Sequence, residues 1–263
     1  MRATLDSEFF SPPPPRVIAH RGASAGYPEN TLEAFRAAVK DGAPYLELDV
    51  HMTRDGTVVV SHDPNLKRTT GRDAEISELT WVEVAAADAG YNFTPGDGTY
   101  PFRDRAIRIP ALEAVLSAFG RALFVVEVKQ ERPSLVRAML AAIDRAGMRR
   151  RVMVASEHQE PLDEVRALAP GIPTNFSSLE VAAFMQAMAR HDDTWRAPGD
   201  AMQVPPEYES WRLVTAEIVA FAHRLGVEVH AWTVNAAAQM REMLDLGVDG
   251  IITDHPARLL RIL

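Results

Sequence analysis

The sequence predicts an α/β fold, a (β/α)8 (TIM) barrel with a small insertion after the second strand, from two observations. Eight short β-rich runs alternate strictly with eight Ala/Leu-rich amphipathic stretches from residue 16 onward, which favours a barrel over a doubly wound sheet. The runs are also mostly apolar, as is typical of parallel strands buried on both faces. The length of 263 residues suits one such barrel or two small domains and does not decide between them.

The element boundaries follow from the residues that interrupt each run. Gly42, Gly147 and Gly226 come just after helical stretches, where a left-handed C-cap is favoured. The predicted strands cover residues 17–19, 45–50, 123–128, 152–155, 172–175, 201–204, 227–232 and 250–252. The predicted helices cover residues 31–40, 112–119, 134–146, 160–168, 179–189, 215–225, 236–246 and 256–261.

Two segments depart from this alternation. Residues 1–15 end in four consecutive prolines and are predicted to form a disordered, extended tail, which leaves residues 16–263 as a single barrel domain. Residues 63–109 are loop-like, with few apolar repeats. A connection of this length inside a compact domain is usually functional or an added subdomain, so we expect this insertion to cover the carboxyl-terminal end of the barrel.

Composition excludes several classes of site and partner. The 28 Lys+Arg against 36 Asp+Glu give a net charge of −8, which argues against nucleic acid or an anionic membrane surface as a partner. The absence of cysteine excludes disulfides, zinc–thiolate sites and thiol nucleophiles. The sequence contains neither signal-peptide features nor a run of about 18 apolar residues. We therefore expect a cytoplasmic protein without stable membrane insertion, and the oligomeric state stays open.

The second predicted strand carries a row of polar side chains. Because strand residues alternate between faces, Glu47, Asp49 and His51 share one face, and the apolar residues between them suit the helix layer. The two carboxylates should point into the barrel, where they repel each other unless a cation lies between them. Oxygen ligands favour one hard divalent cation, Mg²⁺ or Ca²⁺, with Mn²⁺ possible. The third strand adds Glu127 on the inward face, with Lys129 one step nearer the rim.

Further polar residues stand where the first strands end. His20 and Arg21 end the first strand, and His62 ends the hairpin after the second, at the rim where active sites of such barrels lie. Arg21 and Lys129 suit an anion, and the two histidines can carry protons, so a metal-bound phosphoryl group fits this set. The competing interpretation is an ion-pair network without chemistry. Trp232 is either a core aromatic or a wall for the substrate.

Ten short motifs then stand in a characteristic order along the chain. They are His20-Arg21-Gly22, Pro28-Glu29-Asn30-Thr31, Glu47-Leu48-Asp49-Val50, Asp55-Gly56, His62-Asp63, Arg68-Thr69-Thr70, Ile109-Pro110-Ala111-Leu112, Glu127-Val128-Lys129, Trp232-Thr233-Val234-Asn235 and Thr253-Asp254-His255-Pro256. In this order and spacing the chain resembles the glycerophosphodiester phosphodiesterase family, from about residue 17 to the C-terminus.

The resemblance implies a barrel with residues 63–109 as its insertion and a small glycerophosphodiester as its partner. By similarity, the glycerol 2-hydroxyl attacks phosphorus, an alcohol such as choline or ethanolamine leaves, and water opens the cyclic phosphate to give glycerol 3-phosphate. The chain looks like the cytoplasmic branch of the family. The implied site is a divalent metal held by Glu47, Asp49 and Glu127, general base and acid catalysis by His20 and His62, and phosphate binding by Arg21 and Lys129.

Two alternative functions stay open from the sequence. One is a lysophospholipid-cleaving phosphodiesterase (lysophospholipase D-like) on the same scaffold, and the other is a non-catalytic protein that binds phosphate esters. Two neighbouring polar residues also have a simpler interpretation. Asn30 is predicted to cap the first helix, and Glu29 either stands near that cap or orients Arg21 or a histidine.

Overall fold

The computed structural model describes residues 7–263 and contains the predicted alternation of strands and helices. The strands are β1 (Arg16–Ala19), β2 (Tyr45–Met52), β3 (Val58–Val60), β4 (Leu123–Val128), β5 (Val152–Ala155), β6 (Ala201–Val204), β7 (Glu207–Tyr208), β8 (Trp211–Arg212), β9 (Glu228–Ala231) and β10 (Gly250–Thr253). The α-helices are α1 (Leu32–Asp41), α2 (Lys67–Thr70), α3 (Trp81–Ala85), α4 (Leu112–Ala118), α5 (Val136–Arg145), α6 (Gln159–Leu168), α7 (Ser178–Ala189), α8 (Ala216–Arg224), α9 (Ala237–Asp245) and α10 (Pro256–Leu260). None of the helices in this range is both long and apolar enough to cross a membrane.

The main sheet closes on itself. Its parallel strands lie in the order β5-β4-β2-β1-β10-β9-β6, and β3 adds an antiparallel edge to β2. Between β5 and β6, Thr174 bridges Val154 on one side and Asn175 bridges Ala201 on the other. Neighbours around the barrel therefore follow chain order, and the predicted (β/α)8 barrel is confirmed.

The fifth strand position differs from the prediction. Residues 172–175 were expected to form a strand, but they pair only through those two isolated bridges. Pro173 has no N–H group, so it accepts a hydrogen bond from the Val154 amide at 2.9 Å but cannot donate one. A short hairpin of β7 and β8, which the sequence analysis did not predict, follows the next strand.

The two faces of the barrel strands separate two apolar cores. Leu46, Leu48 and Val50 are fully buried in the layer between the barrel and its helices. Tyr45 and Val125 belong to a second core that fills the barrel interior. The alternating pattern of β2 therefore places its carboxylates inward, as the sequence predicted.

The amino-terminal end of the barrel is closed by residues that precede β1. Phe9 is 0% exposed and packs edge-to-face on Tyr45 with ring centroids 5.1 Å apart. The Tyr45 hydroxyl donates to the Phe9 carbonyl at 2.8 Å, while Arg16 forms two short hydrogen bonds with Glu228. The expected disordered tail is therefore wrong for residues 7–15, because Phe9 supplies an apolar side chain that this end of the barrel buries. Residues 1–6 of that expected tail lie outside the described residues.

Residues 63–109 form a small subdomain with its own core rather than a structureless loop. Asn65 pairs with Glu75 and Asp88 pairs with Arg108 through isolated antiparallel bridges. Along the chain, α2 lies within the first of these pairs and α3 lies between the first pair and the second. The buried apolar residues of this subdomain pack around Val59 of the β2–β3 hairpin. They are Leu66, Ile76, Leu79, Val84, Ala87, Ala89, Ile107 and Ile109.

The packing of Phe9 generates a stability prediction. Phe9→Ala should lower the free energy of unfolding by about 3 kcal/mol, because it removes a fully buried ring and leaves a cavity. Val82→Ala is the control, since Val82 is exposed on α3 and its truncation should change stability by less than about 0.5 kcal/mol. Urea denaturation measures both. Equal, small effects would show that residues 7–15 do not pack on the barrel.

Candidate active site

A cavity of about 550 Å³ opens at the carboxyl ends of the barrel strands. One half of its wall is charged and the other half is mostly apolar. The charged half contains His20, Arg21, Glu47, His62, Glu127 and Lys129. The apolar half includes Phe176, Val181, Met185, Leu213 and Trp232. With Asp49 buried in the carboxylate cluster, the structure thus brings together every residue that the sequence placed at the site.

Three carboxylates form the base of the charged half. Glu47 and Asp49 on β2 and Glu127 on β4 each place one oxygen within 4.8 Å of the others. Oxygens Glu47 Oε1 and Asp49 Oδ1 are buried without a hydrogen-bond partner, which is costly for charged acceptors. Because a hard divalent cation prefers such oxygen ligands, these residues fit a metal site and could hold an ion.

The crowding of these carboxylates changes their protonation. Burial, then the neighbouring charges of Asp49 and Glu127, raises the pKa of Glu47 well above its ordinary value. Burial and the Asp49 charge likewise raise the pKa of Glu127 to about 7. Both pKa values rise because the carboxylates are removed from water and their negative charges repel each other. A bound cation would relieve that repulsion.

Two basic residues offset part of this negative charge. The backbone N–H of Arg21 donates to Glu47 Oε2 at 2.8 Å, and its Nε lies 3.2 Å from Asp49 Oδ2. Lys129 Nζ lies 2.6 Å from Glu127 Oε1 and 3.6 Å from Asp49 Oδ1. Although burial opposes it, the charges of Glu127 and Asp49 raise the pKa of Lys129. Lys129 therefore stays cationic beside the cavity.

A tight turn after β1 brings Arg21 over the carboxylates. Arg21 has a left-handed φ of 55° and Gly22 a φ of 86°. A Cβ atom on Gly22 would lie 2.6 Å from the carbonyl carbon of Ala34 in α1, so only glycine fits here. The turn lets both the backbone and the side chain of Arg21 face the site.

His20 is held by a carboxylate on the far side of its ring. Its Nδ1 lies 2.7 Å from Asp254 Oδ1, and Asp254 also accepts from Ser24 Oγ and Asn235 Nδ2. Although burial opposes it, the hydrogen bond from His20 holds the pKa of Asp254 at about 2. An ionised carboxylate only accepts, so the Nδ1 atom carries a proton and Nε2 is available for proton exchange.

His62 is held in the same way by the residue that follows it. Its Nδ1 lies 2.7 Å from Asp63 Oδ1, which again leaves Nε2 available. His51 points inward below it, and its Nε2 lies 3.0 Å from the His62 carbonyl oxygen. His51 is itself buried and fills the barrel interior.

Some residues at the site have contacts that the sequence analysis did not predict. Asn30 was expected to cap α1, but Thr31 is the cap residue and accepts from the Ala34 amide. Asn30 Nδ2 instead donates to Asp49 Oδ2 at 2.8 Å. Asn30 and Asp254 both belong to the family motifs, which mark them as candidates for the site. The partners of these two residues lie far from them in the chain, so the motifs do not reveal those contacts.

Comparison with known proteins identifies the family. A family model described as the glycerophosphoryl diester phosphodiesterase family matches residues 20–258. The chain belongs to this family. A glycerophosphodiester phosphodiesterase of Bacillus altitudinis is 32% identical over 253 residues, which cover 94% of this chain and 97% of that protein. The resemblance drawn from the ten motifs is confirmed.

Solved structures of similar phosphodiesterases share this barrel. A glycerophosphodiester phosphodiesterase from Agrobacterium tumefaciens has 25% sequence identity to this chain, and its structure aligns with a TM-score of 0.75. The alignment covers 94% of this chain and 99% of the Agrobacterium chain. The structure of an Oleispira antarctica phosphodiesterase in complex with the product sn-glycerol-3-phosphate is also 25% identical, with a TM-score of 0.74. It covers 94% of this chain and 96% of its own.

The raised pKa of Glu127 generates a prediction for the metal-free protein. Its pKa is about 7 in the fold against an ordinary value of 4.5, so between these values the folded state holds a proton that the unfolded chain has released. Stability should therefore fall as the pH rises through this window. Since metal ligands must be ionised, Mg²⁺ or Ca²⁺ should raise the melting temperature more at pH 8 than at pH 5.

Thermal unfolding with and without each cation measures this effect. Glu127→Gln should weaken both the fall in stability and the cation response, whereas Glu78→Gln, an exposed control on the insertion, should keep both. Equal cation responses at the two pH values would contradict a metal site built on these carboxylates.

Proposed function

We propose that this protein hydrolyses glycerophosphodiesters to glycerol 3-phosphate and an alcohol, in a reaction that depends on one divalent cation. The observation that carries this proposal is a single cavity wall that joins three crowded carboxylates to two histidines, each fixed through Nδ1. The structurally similar phosphodiesterase with bound sn-glycerol-3-phosphate supports the choice of substrate. The intact set of charged residues argues against the non-catalytic alternative.

The phosphate of the substrate would lie in the cavity beside the carboxylate cluster and the basic residues. Glu47, Asp49 and Glu127 would hold Mg²⁺ or Ca²⁺, with Mn²⁺ as a further candidate. When bound, such a cation supplies positive charge that stabilises the charge developing on the phosphoryl oxygens. Arg21 and Lys129 would bind the same oxygens from the sides, since guanidinium and ammonium groups are strong donors to phosphate.

The two histidines would carry the protons. In the first step His20 accepts the proton of the glycerol 2-hydroxyl as its oxygen bonds to phosphorus. The bond from phosphorus to the departing alcohol breaks, and His62 protonates that oxygen. In the second step water bonds to phosphorus and gives a proton to His62, while the bond from phosphorus to the glycerol 2-oxygen breaks and His20 returns its proton to that oxygen. Both rings regain their starting protonation, and the product is glycerol 3-phosphate.

The apolar half of the cavity would hold the departing group. Trp232 follows β9 and presents an aromatic wall there, which suits a cationic alcohol such as choline. The same half, with Phe176, Met185 and Leu213, also favours a second candidate function, cleavage of lysophospholipids that carry an acyl chain. The cytoplasmic location expected from the sequence stays a prediction.

The first experiment measures release of glycerol 3-phosphate from glycerophosphocholine with Mg²⁺, Ca²⁺ or Mn²⁺ and with EDTA. We expect release with at least one cation and its loss in EDTA. Phosphorus NMR of the same reactions, repeated with lysophosphatidylcholine, separates a hydrolysed product, a stable cyclic phosphate and cleavage of lysophospholipid. Turnover of the lysophospholipid alone would replace the first function with the second.

Substitution of the two histidines tests their roles. His20→Ala and His62→Ala should each lower kcat by roughly 10²–10⁴, the usual range for one lost proton transfer. His223→Ala is the matched control, because His223 lies on α8 and pairs with Asp249 on the outside of the barrel. Wild-type turnover in both site variants would remove the histidines from the mechanism.

A further inference from the structure

The insertion of residues 63–109 contacts the charged half of the site through Arg68, a side chain on α2. Arg68 Nε donates to Asp63 Oδ2 at 2.5 Å. Its Nη1 and Nη2 donate to the two oxygens of Glu29, both at 2.7 Å. All three nitrogens of one guanidinium are therefore engaged by two carboxylates, and neither carboxylate is a residue to which we assign a proton transfer or a metal.

Each of these carboxylates also holds a residue of the proposed mechanism. The other oxygen of Asp63 pairs with His62 Nδ1 at 2.7 Å. Glu29 Oε1 accepts from Arg21 Nη1 at 3.0 Å. An unbroken line of ionic hydrogen bonds thus runs from His62 through Asp63, Arg68 and Glu29 to Arg21, and Arg68 is its centre.

We propose that Arg68 is a positioning residue that fixes the proton-donating His62 and the phosphate-binding Arg21 relative to each other. This inference rests on the proposed function. Its physical basis is that a planar guanidinium binds a carboxylate with two parallel hydrogen bonds and so fixes orientation as well as distance. The insertion would then serve to bring Arg68 to the rim.

A later part of the insertion holds the backbone of α2. Asn92 Nδ2 donates to the carbonyl oxygens of Lys67 at 3.2 Å and Arg68 at 3.1 Å, and its backbone N–H donates to Thr69. Gly71 ends α2 with a φ of 76°, and a Cβ there would lie 3.2 Å from the Tyr91 ring. The position of Arg68 is thus set in part by Asn92, which lies 24 positions away in the chain.

The exposure of the Arg68 side chain distinguishes a role in positioning from a role in stabilising the fold. The Arg68 side chain is 48% exposed, and ion pairs this accessible contribute little to stability. Loss of Arg68 should therefore leave the fold intact while it releases Asp63 and Glu29. The same exposure leaves room for a small cation from solution to take the place of the side chain.

The test compares Arg68→Ala and Arg68→Lys with Arg72→Ala in the proposed assay. We expect Arg68→Ala to lower kcat on the order of 10²-fold, the typical effect of a misplaced catalytic group, with a smaller rise in KM. Arg68→Lys should recover part of this loss, because lysine restores the positive charge but not the two parallel hydrogen bonds of the guanidinium. Added guanidinium should restore part of the activity of Arg68→Ala only. Arg72 is the control, because it binds the Glu83 carbonyl within the insertion.

A double variant and one spectroscopic readout complete the test. Arg68→Ala and Asp63→Asn should cost together little more than the larger single loss, since both act on His62. NMR should show the Nδ1-bound proton of His62 exchanging faster in Arg68→Ala, whether or not the protein turns over any diester. Additive losses, an unchanged proton, no rescue by guanidinium in folded Arg68→Ala, or equal losses in Arg72→Ala would overturn the proposal. Wild-type protein inactive on every diester, with the proton effect present, would overturn the proposed function alone.

Discussion

The repulsion among three carboxylates on the inner wall of the barrel is the constraint on which the site depends. Strand alternation turns Glu47, Asp49 and Glu127 inward, and burial leaves two of their oxygens without a hydrogen-bond partner. Proteins tolerate such a cluster when positive charge is brought to it. The turn after β1 brings Arg21, the end of β4 brings Lys129, and the remaining deficit of positive charge is what a divalent cation would fill.

The same need for compensated charge organises the histidines. Each ring binds a carboxylate through Nδ1, His20 to Asp254 and His62 to Asp63. Each of these carboxylates is fixed by further donors on its second oxygen, Asn235 for Asp254 and Arg68 for Asp63. His20 and His62 therefore have a common construction, although one is supported by the barrel and the other by the insertion.

The sequence predicted those parts of the fold that depend on local periodicity. The inward face of β2 and the helices of the barrel follow from alternation and from capping residues, and both are confirmed. It did not predict that Phe9 would be buried, because four prolines dominate that segment and its binding surface is formed by distant strand ends. Asn30 shows the same limit at the site, since its contact with Asp49 joins a loop to a strand. The weak fifth strand follows from the missing N–H of Pro173, a local signal that a run-based prediction did not weigh.

The packing at the amino-terminal end of the barrel determines how a molecule can enter and leave the cavity. Phe9, Tyr45, Leu123 and the other interior residues fill the barrel below the carboxylates, so within residues 7–263 the cavity opens only toward the carboxyl ends of the strands. Any molecule that enters by this mouth must also leave by it. In the proposed function, the phosphorylated product would therefore depart past Arg21 and Lys129, the same residues that would bind the next diester, and the two would compete for one passage.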